Sequence, residues 1–219
     1  MTKAALRPKD AATLIIVRDK REVLLGLRSA RHRFLPNHYV FPGGGVDPGD
    51  ARVKCPIGLK PSVAEQLQRS CSAARARALA MTAVRETFEE TGLLLGESSE
   101  QTIRSQSPSW QPIFQQGVVP ALHRLEYLAR AITPPNNVRR FDARFFMVDS
   151  KHMQGSIRSN GELEDLRWVA LDEVDQYPLI SITRLVLELL QQKLQGTATN
   201  PQAIPLFRQL HGQELIEHH

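Results

Sequence analysis

The chain has few aromatic residues, only two cysteines and no long apolar run. Aromatic residues make up 6% of its 219 residues, and no stretch approaches the ~18 apolar residues that a membrane-spanning helix needs. Residues 1–10 lack the apolar core of a signal peptide. Cys55 and Cys71 do not have the spacing of metal ligands, so we expect free thiols in a reducing compartment. These absences predict a soluble, cytoplasmic protein without a membrane partner.

Composition and charge limit the classes of protein that fit. Hydrophobic residues make up 42% of the chain, and no polar linker divides it, so we expect one domain over residues 1–219. Residues 1–77 carry 15 Lys and Arg against 6 Asp and Glu, a balance of +9, whereas residues 78–219 carry 13 against 17, a balance of −4. This asymmetry favours a substrate with several phosphates, although basic residues that only keep a surface helix soluble explain part of it equally well. No nucleic-acid binding module accompanies the basic residues, so we expect no nucleic-acid partner.

The most informative segment is an acidic stretch of predicted helix, Arg85–Leu93. Glu86, Glu89 and Glu90 project within an arc of ~100°, because a helix turns by about 100° per residue. Like charges at this spacing cost about 0.2–0.5 kcal/mol per pair, and Arg85 alone does not neutralise three carboxylates. Oxygen ligands of this kind suit Mg²⁺ or Mn²⁺. The alternative is a solvated helix whose outer face is rich in glutamate.

A glycine run upstream favours the metal-site interpretation. Gly43, Gly44 and Gly45 follow Phe41 and Pro42 at the end of a predicted strand. A glycine backbone can approach a ligand closely, because no side chain stands in the way. We therefore expect the Gly44 carbonyl to join the glutamates around a metal ion.

Together these segments resemble the motif of the Nudix hydrolases, Gly-x5-Glu-x7-Arg-Glu-apolar-x-Glu-Glu-x-Gly-apolar. Gly44 and Asp50 fit the first half, with Asp in place of Glu, and Arg85–Leu93 fits the second half, with Thr87 at the apolar position. Asp50 and Arg85 are separated by 34 residues instead of 7, so 27 residues are expected to form an insertion, which we assign to residues 51–77. The resemblance implies an α/β (α+β) Nudix fold, in which a mixed β-sheet lies between helices and a helical insertion interrupts the motif.

A second motif resembles the coenzyme A diphosphatase branch of this family, Leu-Leu-Thr-x-Arg-Ser/Ala-x3-Arg-x3-Gly-x3-Phe-Pro-Gly-Gly. The match runs from Leu24 to Gly44, keeps Arg28 and Arg33, and departs at Gly26 and Asn37. The interrupted motif and the later run Arg139–Phe146 resemble a subgroup of this branch that has a peroxisomal member. The C-terminal residues are no peroxisomal address.

The resemblance implies an activity and a set of site residues. The activity is metal-dependent hydrolysis of the diphosphate bond of coenzyme A or acyl-coenzyme A, which releases adenosine 3′,5′-bisphosphate. Alternatives are ADP-ribose or NADH as substrate, or a nucleotide-sensing module without activity. Family members commonly dimerise, so a homodimer is possible in this chain. The expected metal ligands are Glu86, Glu89, Glu90 and Gly44; the expected catalytic residues are Glu89, Glu90, Arg85, Glu164 and Glu162; the expected substrate-binding residues are Arg28, Arg33, Phe41 and Gly43.

Among these residues, Arg85 is expected to act as a clamp that orients a carboxylate. Glu162 and Glu164 are the candidates for a general base from a later loop, and an exposed loop acid without a role is an equal alternative for either.

Residue patterns also predict the secondary structure. Strands are predicted at 12–17, 22–27, 38–41, 93–95, 125–132, 144–148 and 166–171, and helices at 62–80 and 182–194. The first of these helices either continues into the glutamate helix or breaks before it, and Gly92 is expected to end the glutamate helix. Residues 51–77 and 97–135 are expected to shape the substrate pocket. The tail, residues 197–219, is expected to be extended along the surface or along a partner.

Overall fold

The computed structural model describes residues 6–31, 35–99, 105–198, 203–210 and 213–218. Its strands are β1 (Lys9–Arg18), β2 (Glu22–Arg28), β3 (Tyr39–Val40), β4 (Gly43–Gly45), β5 (Leu93–Ser98), β6 (Val118–Pro120), β7 (Glu126–Ile132), β8 (Phe141–Asp149), β9 (Met153–Gly155), β10 (Leu163–Ala170), β11 (Pro205–Leu210) and β12 (Gln213–His218). Its α-helices are α1 (Pro48–Arg52), α2 (Pro61–Gln68), α3 (Ala73–Thr91), α4 (Gln111–Phe114) and α5 (Ser181–Gln195). Short 3-10 turns occur at Leu122–Arg124, Ser150–His152 and Val174–Gln176.

Most strands of the described chain belong to one mixed sheet. Its main path runs in the order β10-β2-β1-β8-β7-β11-β12, with β3 paired to β2 and β4 paired to β1. The β1–β8 and β7–β11 pairs are parallel, and the other pairs are antiparallel. A smaller sheet contains β6, β5 and β9. This mixed α+β architecture confirms the predicted fold class.

The large sheet lies between two apolar clusters because its central strand is buried on both faces. In β1, Leu14 and Ile16 belong to a cluster with α3, whereas Ile15 and Val17 belong to a cluster with α5. Successive side chains of a strand point to opposite faces, which explains the alternation. The sheet therefore lies between helices, as the sequence predicts.

Helix α3 carries the glutamates and has clear signals at both ends. The Ser72 hydroxyl accepts a hydrogen bond from the Arg75 backbone N–H at 3.3 Å, which caps the first turn. Gly92 adopts a left-handed conformation with φ 73° and donates its N–H to the Phe88 carbonyl, which ends the helix as predicted. The predicted helix over residues 62–80 is divided instead: α2 ends at Gln68, residues 69–72 connect the two helices, and residues 73–80 form the start of α3.

Other predictions are confirmed with shifted boundaries. The predicted strands at 12–17, 22–27, 125–132 and 144–148 correspond to β1, β2, β7 and β8, and the predicted helix at 182–194 corresponds to α5. Both cysteines are free thiols. Within the described ranges, no helix has both the length and the apolar composition to cross a membrane. The single domain, the limits of the insertion and the cytoplasmic location stay predictions.

Candidate active site

The centre of the site is a buried ion pair between α1 and α3. Asp50 is fully buried and Arg85 is 4% exposed. The Arg85 guanidinium donates from Nε to Asp50 Oδ1 at 2.8 Å and from Nη2 to Asp50 Oδ2 at 2.9 Å. This two-point contact fixes the plane of the guanidinium. Asp50, at the position where the family motif has Glu, therefore orients Arg85.

Three further donors bind the Asp50 carboxylate. They are the Thr82 hydroxyl at 2.7 Å, the Trp110 indole N–H at 2.8 Å and the Asp47 backbone N–H at 2.9 Å. Trp110 is fully buried and stacks on Phe114, with ring centroids 5.7 Å apart. A buried carboxylate is tolerated only when its oxygens are paired, and these donors satisfy both oxygens. The segment around Trp110 is thus tied directly to the site.

Arg85 in turn holds the groups that face the cleft. Its Nη1 atom lies 2.9 Å from Glu89 Oε2 and 3.0 Å from Glu86 Oε1, and its Nη2 atom donates to the Gly45 carbonyl at 3.1 Å. The contact with Glu89 has i,i+4 spacing along the helix. One arginine therefore sets the positions of two glutamates and of the glycine strand.

The glycine strand β4 lies directly against these glutamates. The Gly43 N–H donates to Glu90 Oε2 at 2.8 Å. A Cβ atom added at Gly44 would come within 2.5 Å of the Glu86 carboxylate, so only glycine leaves room for that carboxylate. Pairing between β4 and β1 holds the glycines in place, with Gly44 opposite Ala12. The glycine run thus lies close to the glutamates, and the predicted role of the Gly44 carbonyl as a metal ligand stays a prediction.

Burial changes the acidity of the glutamates. Desolvation, with repulsion by Glu89 as a smaller cause, raises the pKa of Glu86 to about 7. Desolvation and repulsion by Glu86 raise the pKa of Glu90 to about 8, although the Gly43 N–H opposes the change. Desolvation also raises the pKa of Glu89. Three carboxylates are thus held together in a place that disfavours their charge.

This donor set fits a hard divalent cation. Within the described part of the chain, no group of three His, Cys, Asp or Glu side chains has the geometry of a metal site. Glu86 and Glu89 contact Arg85 instead, and Glu90 accepts a hydrogen bond from Gly43. Each carboxylate has two oxygens, and carboxylate oxygens are the ligands that Mg²⁺ and Mn²⁺ prefer. A cation would also offset the repulsion that raises the glutamate pKa values.

The glutamates open into a large cleft with a volume of about 1140 Å³. Glu86, Glu89 and Glu90 line it together with the glycine strand. The cleft is also lined by the basic side chains Arg28, Arg139, Arg208 and His38 and by the acidic side chain of Glu162. The cleft therefore combines an acidic cluster with basic side chains, which suits a substrate with several phosphates.

Not every predicted site residue reaches this cleft. Glu162 lines it, whereas Glu164 is an exposed residue of β10 and is not among the lining residues. The sequence predicts that strand to start at residue 166, but it starts at Leu163, so Glu164 lies in the strand instead of the loop. Arg33 lies outside the described residues.

The other predicted substrate-binding residues line the cleft. Phe41 is 4% exposed, packs in the apolar cluster between the sheet and α5, and also lines the cleft. Arg28 is partly desolvated, and this desolvation lowers its pKa against the opposing effects of Glu90 and Glu162. Asn37, which replaces a family glycine, has φ 59°, a conformation that Asn tolerates better than most residues.

Sequence reasoning missed three features of the site. No local pattern links the Trp110 N–H to Asp50. Arg139 lines the cleft, although the run Arg139–Phe146 alone does not assign it to the site. The C-terminal residues 207–209 and 215–216 line the cleft, although the tail had no predicted role in it.

Comparison with known proteins finds relatives of one kind. A scan against protein-family models finds no match. A curated protein of Caenorhabditis elegans, "Putative nudix hydrolase 7", is 28% identical over 174 residues, which cover 74% of this chain and 51% of that protein. The chain thus spans about half the length of this relative.

Solved structures share the fold. The crystal structure of a NUDIX hydrolase from Alicyclobacillus acidocaldarius has 29% identity and a TM-score of 0.63, and the match covers 86% of this chain and 93% of that one. The solution structure of the E. coli ORF135 protein, with 18% identity and a TM-score of 0.52, covers 89% of this chain and 96% of that chain, and is similar in fold alone. In sequence and in fold, this chain is therefore similar to Nudix hydrolases.

Proposed function

We propose that this protein is a metal-dependent hydrolase that cleaves the diphosphate bond of a nucleoside diphosphate derivative. The observation that carries the proposal is the contact of Glu86 and Glu90 with a glycine strand, beside Glu89 and in a cleft that also contains Arg28 and Arg139. Family members generally need divalent metals, and Glu86, Glu89 and Glu90, with the Gly44 carbonyl, are the groups that would hold such an ion here.

Each residue of the site has a part in this reaction. A bound divalent ion supplies a polarised phosphoryl oxygen and a water of lowered pKa. Arg28 and Arg139 neutralise phosphate oxygens, and Arg85 keeps Glu86 and Glu89 in position. Glu162 accepts a proton from the attacking water, because it is the candidate base that lines the cleft. The water oxygen bonds to one phosphorus, the bridging P–O bond breaks, and the other phosphate leaves with the bond electrons.

Coenzyme A or acyl-coenzyme A is the substrate that we favour. The motif from Leu24 to Gly44 supports it, and so do the basic residues of the cleft, because coenzyme A carries a 3′-phosphate in addition to the diphosphate. The products would be adenosine 3′,5′-bisphosphate and phosphopantetheine or its acyl form. ADP-ribose and NADH are the alternatives, since both contain the same diphosphate link.

A nucleotide-sensing module without turnover is the second candidate function. Burial of three carboxylates raises their pKa values and lowers the stability of the fold. A module that only binds nucleotide has less reason to retain such a destabilising cluster. Turnover separates the two candidates directly.

The test is product formation from coenzyme A, acetyl-coenzyme A, ADP-ribose and NADH with Mg²⁺ or Mn²⁺. We expect adenosine 3′,5′-bisphosphate from the coenzyme A substrates, and loss of this product in Glu89→Gln and Glu90→Gln with unchanged circular dichroism. Glu188→Gln is the matched control, because Glu188 is an exposed residue of α5 outside the cleft. Cleavage of ADP-ribose or NADH alone would reject the coenzyme A assignment, and full activity in both glutamate variants would reject the mechanism.

A further inference from the structure

The C-terminal hairpin, β11 and β12, extends the large sheet beside the cleft. Strand β11 pairs in parallel with β7, where Phe207 lies opposite Ala131, and β12 pairs antiparallel with β11. An ion pair between Arg208 and Glu217 joins the two strands. The hairpin contributes Phe207, Arg208, Gln209, Leu215 and Ile216 to the lining of the cleft that contains the glutamates.

The hairpin gives the cleft an apolar end. Phe207, Leu215 and Ile216 line this end together with Ile180 and Leu185 from the start of α5. Ile216 is 56% exposed, and Leu35, another lining residue, is 37% exposed. Large apolar side chains that stay exposed beside a cleft are typical of ligand-binding surfaces.

A continuous floor connects the apolar end to the glycine strand. Gly45, Ala11, Ala143, Ala131 and Phe207 lie directly opposite one another in β4, β1, β8, β7 and β11. All five line the cleft. Neighbouring strands are about 4.8 Å apart, so this row spans roughly 19 Å. The small alanine side chains leave space above the sheet, so the cleft continues from the glutamates to the hairpin.

We propose that the C-terminal hairpin forms a subsite for an acyl chain attached to the nucleoside diphosphate substrate. This inference rests on the proposed function, because it assumes that the glutamates act on the diphosphate. The volume of about 1140 Å³ exceeds the upper end of the ~300–1000 Å³ usual for small-molecule sites, which leaves space for a substituent beyond the nucleotide. The polar and apolar ends lie far enough apart for a long, flexible substrate.

The segments expected from the sequence to shape the pocket contribute little to it. Among the described residues that line the cleft, none belongs to residues 51–77, and only residues 131–134 belong to the segment 97–135. Chain-length preference is therefore assigned to the hairpin and the start of α5. Full burial of one methylene of an acyl chain raises affinity about fourfold. The hairpin wall is partly open to solvent, so each methylene that binds there should raise affinity about twofold.

The test is calorimetric binding of coenzyme A, hexanoyl-coenzyme A, decanoyl-coenzyme A and ADP-ribose. EDTA prevents turnover, and the esters are kept below the concentration at which they form micelles. In the wild-type protein, affinity should rise from coenzyme A to the decanoyl ester by at least about a hundredfold, at about twofold per methylene. Ile216→Gln should remove at least about fivefold of this gain and leave ADP-ribose binding unchanged.

Ile157→Gln is the matched control. Ile157 is 37% exposed and does not line the cleft, so this variant should keep the wild-type dependence on chain length. Equal affinity for all chain lengths, or the same dependence in Ile216→Gln as in the wild type, would overturn the inference. The binding measurement does not depend on catalysis. A protein that cleaves no substrate with Mg²⁺ contradicts the proposed function. A protein that cleaves coenzyme A but binds all acyl chain lengths with equal affinity contradicts the hairpin subsite alone.

Discussion

Replacing Asp50 by Asn should destabilise the protein far more than its small change in shape suggests. The carboxylate is fully buried and accepts hydrogen bonds from Arg85, Thr82, Trp110 and the Asp47 backbone. Each of these groups is a donor. An Asn side chain would present an amide NH₂ to some of them, so donors would face donors, and the buried guanidinium would lose its negative partner.

The size of the effect follows from the burial of this ion pair. Removal of one partner from a buried, hydrogen-bonded pair costs about 3–5 kcal/mol, because the other charge stays buried without compensation. Arg85 keeps Glu86 and Glu89 as neighbours, so the expected loss lies at the lower end of this range, ~3 kcal/mol. For a domain of this size, that loss lowers the melting temperature by about 6–12 °C.

The assay is urea unfolding, followed by circular dichroism and by the fluorescence of Trp110 and Trp168. Asp172→Asn is the matched control, because Asp172 is exposed, and it should change the unfolding free energy by less than ~0.5 kcal/mol. If Asp50→Asn were as stable as this control, the idea that Asp50 anchors the site would be refuted.

Three other substitutions test separate parts of the site. Gly44→Ala should lower kcat at least about tenfold, because its Cβ would displace the carboxylate beneath it, whereas Gly58→Ala, with open space around it, should not. Glu162→Gln should lower kcat by about a hundredfold or more if this residue is the base, and Glu164→Gln should leave kcat unchanged. Asn37→Gly should keep wild-type stability in thermal unfolding, whereas Asn37→Val should lose about 1–2 kcal/mol, because its φ is 59°.

The parts of the site that follow local rules were predictable from the sequence. Helical spacing places Glu86, Glu89 and Glu90 on one side of α3, and Gly92 ends that helix. The lack of side chains in β4 predicts that its backbone can approach another group closely. These signals involve residues within a few positions of one another, so the pattern alone carries them.

The parts that depend on long-range contacts were not predictable. Trp110 and Asp50 are 60 residues apart, and nothing near either residue indicates their hydrogen bond. Strand β11 joins the sheet by parallel pairing with β7, a contact between distant segments that no turn signal announces. Acidic residues precede the apolar pattern of β10 and favour a loop for Glu164, but the strand continues through them with a register shift between Glu164 and Arg167.

The central claim is that the three glutamates of α3 bind a divalent ion next to the glycine strand. Electron paramagnetic resonance of Mn²⁺ measures this binding directly, in the wild type and in Glu86→Gln, Glu89→Gln and Glu90→Gln. The account predicts a bound ion in the wild type and at least about tenfold weaker binding in each variant, with Glu188→Gln equal to the wild type. Mn²⁺ affinity that is the same in all five proteins would contradict it.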